Sequence, residues 1–277
     1  MSKQPITFTT RKCLSKTVKS LVDCRGLTPD ALQDLSIDAI KNCTLLLNNT
    51  RVKVSDVFDV TGEDSQHIVF NHHESHIQLD CVGAWMRVGK ITFYGDAGDY
   101  CGLNMISGEI VVHGNTQDLT ACNMVNGFIT IHGNAGDFVG GGLDGARQGM
   151  KNGIILIKGN AGARVGDQMR RGLILIEGNT GDYCGSRMIA GTIGVLGNVG
   201  KYTGFNMRRG TILLQKPFTP HPTIQDCGAH TLPFLSLLYT SFSKFDTPFS
   251  ILHNQRVRRY IGDLSHNGNG EILQMLG

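Results

Sequence analysis

The sequence predicts a mainly β protein: a right-handed parallel β-helix, a solenoid of about seven 19-residue glycine-rich coils with a cap at each end. Three observations predict it. Gly95, Gly114 and Gly133, then Gly159, Gly178 and Gly197, recur at a step of 19. A second glycine column, Gly89, Gly108, Gly127, Gly153, Gly172, Gly191 and Gly210, keeps the same step. Both columns break once, between Gly140 and Gly153, where one unit gains 7 residues. Self-similarity at a fixed period near 20 marks stacked units, none of which buries its apolar face alone.

Residues 1–70 are expected to cap the first coil, because a solenoid end otherwise exposes unpaired strand edges and open core. Thr28-Pro29-Asp30 reads as a helix start, with Thr as N-cap and Pro at the first position. Leu32, Leu35 and Ile40 give that region an apolar face. Leu45 to Leu47 and Arg51 to Val60 are strand-like.

Residues 71–216 form the repeat. Asn71 to Gly89 is a worn first coil, with Asp80, Gly83, Met86 and Gly89 each 19 residues before Asp99, Gly102, Met105 and Gly108. His76 stands where a turn glycine is expected. His72, His73 and His76 lie close in sequence, but no cysteine or carboxylate is in register, so no metal site is assigned. In later coils the second residue is Ile91, Ile110, Ile129, Ile155, Ile174, Ile193 and Ile212. The fourth is Phe93, Val112, Ile131, Ile157, Ile176, Val195 and Leu214. Residues between them vary, and this period-2 pattern predicts a half-buried strand in every coil. A methionine column (Met105, Met124, Met150, Met169, Met188, Met207) and a column of small side chains (Val82, Cys101, Thr120, Val139, Val165, Cys184, Thr203) are expected inside. Gly95, Gly114, Gly133, Gly159, Gly178 and Gly197 sit at corners, where the chain needs positive φ or leaves no room for a Cβ. Asn115, Asn134, Asn160, Asn179 and Asn198 follow those corners and read as structural, bonding up and down the stack.

The Gly-x-x-Gly-x-x-x-Gly pattern (Gly133/Gly136/Gly140, Gly159/Gly162/Gly166, Gly178/Gly181/Gly185, Gly197/Gly200/Gly204) resembles the glycine-repeat domain of the glutamate synthase large subunit. Together with the long coil Gly140 to Gly153, and with Gly159 to Gly172 and Gly200 to Leu214, it resembles more closely the C-type subunit of formylmethanofuran dehydrogenase and of the bacterial formyltransferase/hydrolase complex. Residues 217–277 lose the period. Pro217, Pro220 and Pro222 forbid another regular ladder. Leu232 to Phe245 is apolar and aromatic and predicts a helix, packed back on the coils or into another subunit. Arg256 to Asp263 and Gly268 to Leu273 resemble the tail of the bacterial C-type subunit.

The resemblance implies a non-catalytic structural subunit of a complex. That complex transfers a formyl group from formyl-tetrahydromethanopterin to a methanofuran-like carrier and releases formate. It implies three partner subunits. One resembles a zinc amidohydrolase, one is a relative of the molybdopterin-binding dehydrogenase subunit, and one is a formyltransferase. Carrier and zinc are implied on those partners, with no cofactor bound by this chain alone. The C-type subunit of a molybdenum or tungsten dehydrogenase fits the same motifs, as does a stand-alone glutamate-synthase-like domain. A polysaccharide-active β-helix would want exposed aromatics, and Trp85 is the sole tryptophan.

Composition bounds the rest. The chain has 277 residues, 36 glycines and a net charge of +3, which gives no case for nucleic acid. No apolar stretch approaches about 20 residues, so no membrane span or secretion signal is expected and the cytoplasm is the expected location. Eight cysteines occur without a C-x-x-C spacing; Cys101 and Cys184 lie in an inward column and read as small buried core residues of a reducing compartment, not as bridges. No catalytic motif is present: every glycine turn leads into another strand, unlike a phosphate-binding loop. Asp99, Asp118, Asp137 and Asp182 form a column that Ala163 and Lys201 interrupt, and they read as turn residues. Arg170-Arg171 and Arg208-Arg209 occupy the same place two coils apart, with Arg147, Arg164 and Arg187 expected nearby. These seven are the candidate surface for a partner or a polyanion.

Overall fold

The computed structural model describes residues 3–11, 19–73, 76–253 and 256–276. It opens with β1 (Pro5–Thr10), β2 (Ser20–Asp23), α1 (Pro29–Leu32), α2 (Ile37–Asn42), β3 (Thr44–Leu47), β4 (Thr50–Lys53), α3 (Val54–Val57), β5 (Phe58–Thr61), β6 (Asp64–Asn71) and β7 (Ile77–Asp80). The repeat region follows with β8 (Lys90–Tyr94), β9 (Glu109–Val112), β10 (Phe128–Ile131), β11 (Ile154–Ile157), β12 (Leu173–Ile176), β13 (Thr192–Val195) and β14 (Arg209–Leu214). The chain ends with β15 (Gln225–His230), α4 (Phe234–Phe242), β16 (Val257–Gly262) and β17 (Asn269–Met275). The protein is mainly β with a few short helices. A 13-stranded sheet runs β15-β16-β17-β14-β13-β12-β11-β10-β9-β8-β6-β1-β5, and a second sheet runs β4-β3-β2-β7. Neighbours from β1 to β17 in the large sheet are parallel; only β5, β16 and β15 pair antiparallel.

Register explains the columns. Ile91, Ile110, Ile129, Ile155, Ile174, Ile193 and Ile212 are successive Cα partners, and all are fully buried. Each such side chain contributes roughly 1.5–3 kcal/mol by leaving water. The methionine and small-residue columns are buried beside them. Cys101 and Cys184 lie in that interior, where burial pushes their thiols up to about 12. Cys13 lies outside the described residues. A second, narrower ladder links Ala97, Thr116, Ala135, Ala161 and Thr180 across successive repeats.

The turns are stitched by side chains. Asn115 Oδ1 accepts the backbone N–H of Asn134 at 2.8 Å, and Asn134, Asn160 and Asn179 do the same for the next repeat. Asp99, Asp118, Asp137 and Asp182 accept the N–H of Asp118, Asp137, Ala163 and Lys201 at 2.7–3.0 Å. Ala163 and Lys201 keep the backbone N–H that donates to the repeat below but carry no carboxylate of their own, so the row of acceptors stops at Ala163 and Asp182 starts it again with Lys201. Close approach is common to the corner glycines, and positive φ adds to it at Gly95, where a Cβ would stand 2.0 Å from the His72 carbonyl oxygen. Gly95 has φ +112°. Gly178 does not need positive φ; a Cβ there would stand 2.5 Å from the Gly159 carbonyl oxygen.

The first unit departs from expectation. His67 pairs with Lys90 and Phe70 with Phe93, an offset of 23, while Asp80 still accepts from Asp99 N–H at an offset of 19. The sequence between Asn71 and Ile77 is thus four residues longer than in later units. His72, not His76, stands at the corner below Gly95: its N–H donates to Tyr94 O at 2.8 Å. Its ring lies 3.3 Å from Thr10 Oγ1 and 3.1 Å from Ile77 O, a structural setting. The boundary at residues 70/71 falls inside β6, which continues the parallel ladder to β1.

In the N-terminal segment β1 joins the parallel ladder through β6, and several local expectations are corrected. Phe8 stacks on Phe70 at 5.2 Å and Phe70 on Phe93 at 5.6 Å, while Phe58 packs edge-on. Thr28 precedes α1 but makes no side-chain cap, and Leu35 is 40% exposed rather than on the apolar face. Arg51 to Val60 is not one strand. The Asp56 carboxylate accepts the N–H of Lys53 at 2.9 Å and starts the helical turn α3.

At the other end α4 packs back on the sheet. The outward column begins as Thr92, Val111 and Thr130 and becomes Leu156, Leu175, Gly194 and Leu213. The simple inside/outside alternation therefore holds in β9 and β10 but fails from β11 onward, and Thr92 in β8 is buried as well. Those leucines are buried under Leu235, Tyr239, Phe242 and Phe249. Gly194 leaves the notch for Phe249: a Cβ there would be 2.7 Å from its ring.

Candidate functional site

Every repeat leaves its buried methionine with two residues at the surface. The position is fixed by the backbone: Arg170 N–H donates to Met150 O, Ile189 to Met169 O and Arg208 to Met188 O, each at 2.8 Å. A ridge results, reading Val88, Ser107, Asn126, Asn152, Arg171, Ala190, Arg209 in one column. The adjoining column reads Arg87, Ile106, Val125, Lys151, Arg170, Ile189, Arg208.

Arg170 and Arg171 form one rim of a cleft and Arg208 and Arg209 the other, with Ile189 and Ala190 as the floor between them. His266 and Asn267, from the connection between β16 and β17, and Asn269, the first residue of β17, close one end of this cavity of about 550 Å³. A second cavity of about 370 Å³ shares Ile189, Arg208 and His266 and adds Arg147, Gln168, Arg187 and Asn206. The two are one cleft. Six of the seven expected arginines line it, including Arg147 from the lengthened repeat.

Arg164 does not. Its guanidinium lies 4.6 Å above the Tyr183 ring and 5.7 Å from the Phe138 ring, four residues earlier in its repeat than Arg187. The expectation that it joins the others is corrected by that stacking, which gives the cation an aromatic seat. Arg187 is committed in another way. It pairs through Nε and Nη2 with both carboxylate oxygens of buried Asp167, whose Oδ1 also accepts from Ser186 Oγ. That hydrogen bonding raises the Arg187 guanidinium above its usual range. Among the described residues, no carboxylate pairs with Arg170, Arg171, Arg208 or Arg209.

The end wall is invisible to the repeat pattern because it lies outside the period. Asp263 places it. This buried carboxylate accepts from Asn206 N–H at 2.9 Å, from Ser265 N–H at 2.9 Å and from Ser265 Oγ at 2.7 Å. Burial alone would raise its pKa, but hydrogen bonds from Thr223, Ser265 and the Asn206 backbone outweigh burial and bring it to about 2. The sole sequence signal is a turn-rich run, Asp263-Leu-Ser-His-Asn-Gly268. With the folded pKa below the ordinary 3.8, its stabilisation is complete above about pH 4. It disappears as pH falls through about 2. Asp263→Asn is expected to cost on the order of 2 kcal/mol at pH 7. Urea denaturation of both proteins from pH 7 to 2 should show the gap closing below pH 4; a constant gap would refute the assignment.

Cations, amides and one imidazole line the cleft, with no carboxylate, thiol or hydroxyl among its described lining residues. Such a set binds and orients anions through charge-assisted hydrogen bonds. Among the described residues, no three histidines, cysteines or carboxylates gather as metal ligands, and no helix is long and apolar enough to cross a membrane.

No family model matches the chain. Two curated relatives are the C-type subunit of tungsten-containing formylmethanofuran dehydrogenase 2 from Methanococcus maripaludis, 31% identical over 82 residues, and its counterpart from strain S2 / LL of that organism, 32% identical over 79 residues. The matched segment spans about 30% of this chain and about 30% of those relatives. Among solved structures, the X-ray crystal structure of the formyltransferase/hydrolase complex (FhcABCD) from Methylorubrum extorquens in complex with methylofuran contains a similar chain. The TM-score is 0.87 at 34% identity, covering 98% of this chain and 100% of that one. This chain belongs to the family that comprises the C-type subunit of formylmethanofuran dehydrogenase and its counterpart in the formyltransferase/hydrolase complex.

Proposed function

We propose that this chain is a non-catalytic structural subunit of a formyltransferase/hydrolase complex, one that transfers a formyl group from formyl-tetrahydromethanopterin to a methanofuran-like carrier and releases formate. The observation that carries the reading is the end-to-end similarity, at 34% identity, to a chain of such a complex. In this reading residues 71–216 are a right-handed parallel β-helix of about seven 19-residue coils. Residues 1–70 cap it, and residues 217–277 serve capping and subunit contact. The registered parallel strands and the narrower ladder beside them support that geometry. The partners are an amidohydrolase-like subunit, a relative of the molybdopterin-binding dehydrogenase subunit and a formyltransferase subunit, in the cytoplasm, and the carrier and zinc reside on them. Arg147, Arg170, Arg171, Arg187, Arg208 and Arg209 form the face that meets a partner or a polyanion.

A tagged pull-down from native extract tests this. Amidohydrolase-like and formyltransferase subunits in fixed ratio are the expected companions. A chain recovered alone, stable and monomeric, would overturn the scaffold role. The two curated relatives favour a second reading, the C-type subunit of a tungsten-containing dehydrogenase. Companions carrying a metal-pterin and iron–sulfur clusters would select it.

A further inference from the structure

We propose that the arginine cleft takes a polyproline II segment of a partner polypeptide, with carboxylate side chains three residues apart and apolar side chains between them. The inference rests on reading the arginine face as an anion site and adds what kind of anion it fits.

Spacing is the first argument. Stacked side chains of successive repeats stand 4.6–4.9 Å apart, as in Tyr94/His113, His113/His132 and Tyr183/Tyr202. Arg170 and Arg208 are two repeats apart, so their anchor points are separated by about 9.6 Å. A polyproline II chain rises about 3.1 Å per residue with three residues per turn, so its i and i+3 side chains share a face at about 9.3 Å. Same-face positions of a β-strand fall at about 7 or 14 Å instead. A helix matches only at i and i+7, about 10.5 Å, and the arginine rims would hold its body of about 10 Å off the floor.

Charge is the second. The four rim arginines have no carboxylate partner among the described residues, while Arg187 beside them is already paired with Asp167. The third is the floor. Ile189 and Ala190 are half-buried between the rims, and beyond Lys151 the Ile189 column continues to Val125 and Ile106, which are 38% and 37% exposed. A plain polycarboxylate would leave this apolar row in water, whereas a peptide with apolar residues between its acids covers it.

The test is fluorescence anisotropy on the full chain with three labelled probes: a (Glu-Pro-Val)4 peptide, the same residues with all glutamates adjacent, and tetraglutamate. The first is expected to bind at least tenfold tighter than the others. Arg170→Ala and Arg208→Ala should each weaken it about tenfold, and Ile189→Ser should weaken it while leaving tetraglutamate binding unchanged. Arg170→Lys, which keeps the charge, separates loss of charge from loss of fold. Equal binding of the adjacent-glutamate peptide overturns the spacing argument. Equal binding of tetraglutamate, with Ile189→Ser silent, means a free polycarboxylate and overturns the peptide, while the anion reading stands. If no probe binds, both fall.

Discussion

Gly178→Ala is expected to lower stability by at least about 3 kcal/mol, beyond the usual range for a surface turn. The new Cβ would lie 2.5 Å from Gly159 O and 2.6 Å from Asn160 Oδ1. Both atoms belong to the repeat beneath, and Gly159 N–H already bonds to the repeat beneath that. Gly159 O accepts the Gly178 N–H at 2.9 Å and Asn160 Oδ1 accepts the Asn179 N–H at 2.8 Å, so making room for the methyl breaks hydrogen bonds between the two repeats. Gly145→Ala is the control. Gly145 has φ +78° with nothing within 4 Å of its Cβ position, so only the left-handed backbone is strained, at about 1–2 kcal/mol. Urea midpoints of the two variants decide the matter. Equal losses would show that close approach is not what requires glycine at the corner.

Phe249→Ala is expected to release α4 without melting the stack. Phe249 is fully buried, packs edge-on against Phe242 at 5.9 Å and fills the notch at Gly194. Removing a buried phenylalanine costs roughly 3–5 kcal/mol. Here the loss falls on a segment held by one apolar layer, so it should open locally. Amide exchange should quicken across residues 232–252 while β8 to β12 keep their protection. Gly194→Leu makes the same point from the other side. It completes the leucine column of Leu156, Leu175 and Leu213, yet its Cβ would lie 2.7 Å from the Phe249 ring and 2.8 Å from Leu175 Cδ2. Unchanged protection of α4 in Gly194→Leu would refute the notch.

Much of the repeat was legible because each unit states its own chemistry. The isoleucine, methionine and small-residue columns, the asparagine row and the corner glycines all lie at a fixed step. Parallel stacking turns that step into contact, so Ile174 meets Ile155 and Ile193 because each carries the same position of its unit. The arginine pairs were legible for the same reason: Arg170 and Arg208 share a column two repeats apart.

Where the period ends, spacing says nothing about neighbours. The end wall of the cleft comes from His266 and Asn267, nearly 60 residues beyond Arg208, and Asp263 secures it through a hydrogen bond from Asn206. The offset of 23 in the first unit is invisible until β6 pairs with β8, because a four-residue insertion keeps the later glycines in step. Arg164 looks like its neighbours in composition but has Phe138 and Tyr183 rings beside it. The repeat, its inward columns and the existence of an arginine row could be read from the chain unfolded on the page, because they are local patterns multiplied by stacking. What closes the ends, what covers the outer leucines and which arginines share a cleft emerged only on folding. Those outcomes depend on contacts between segments that no common period relates.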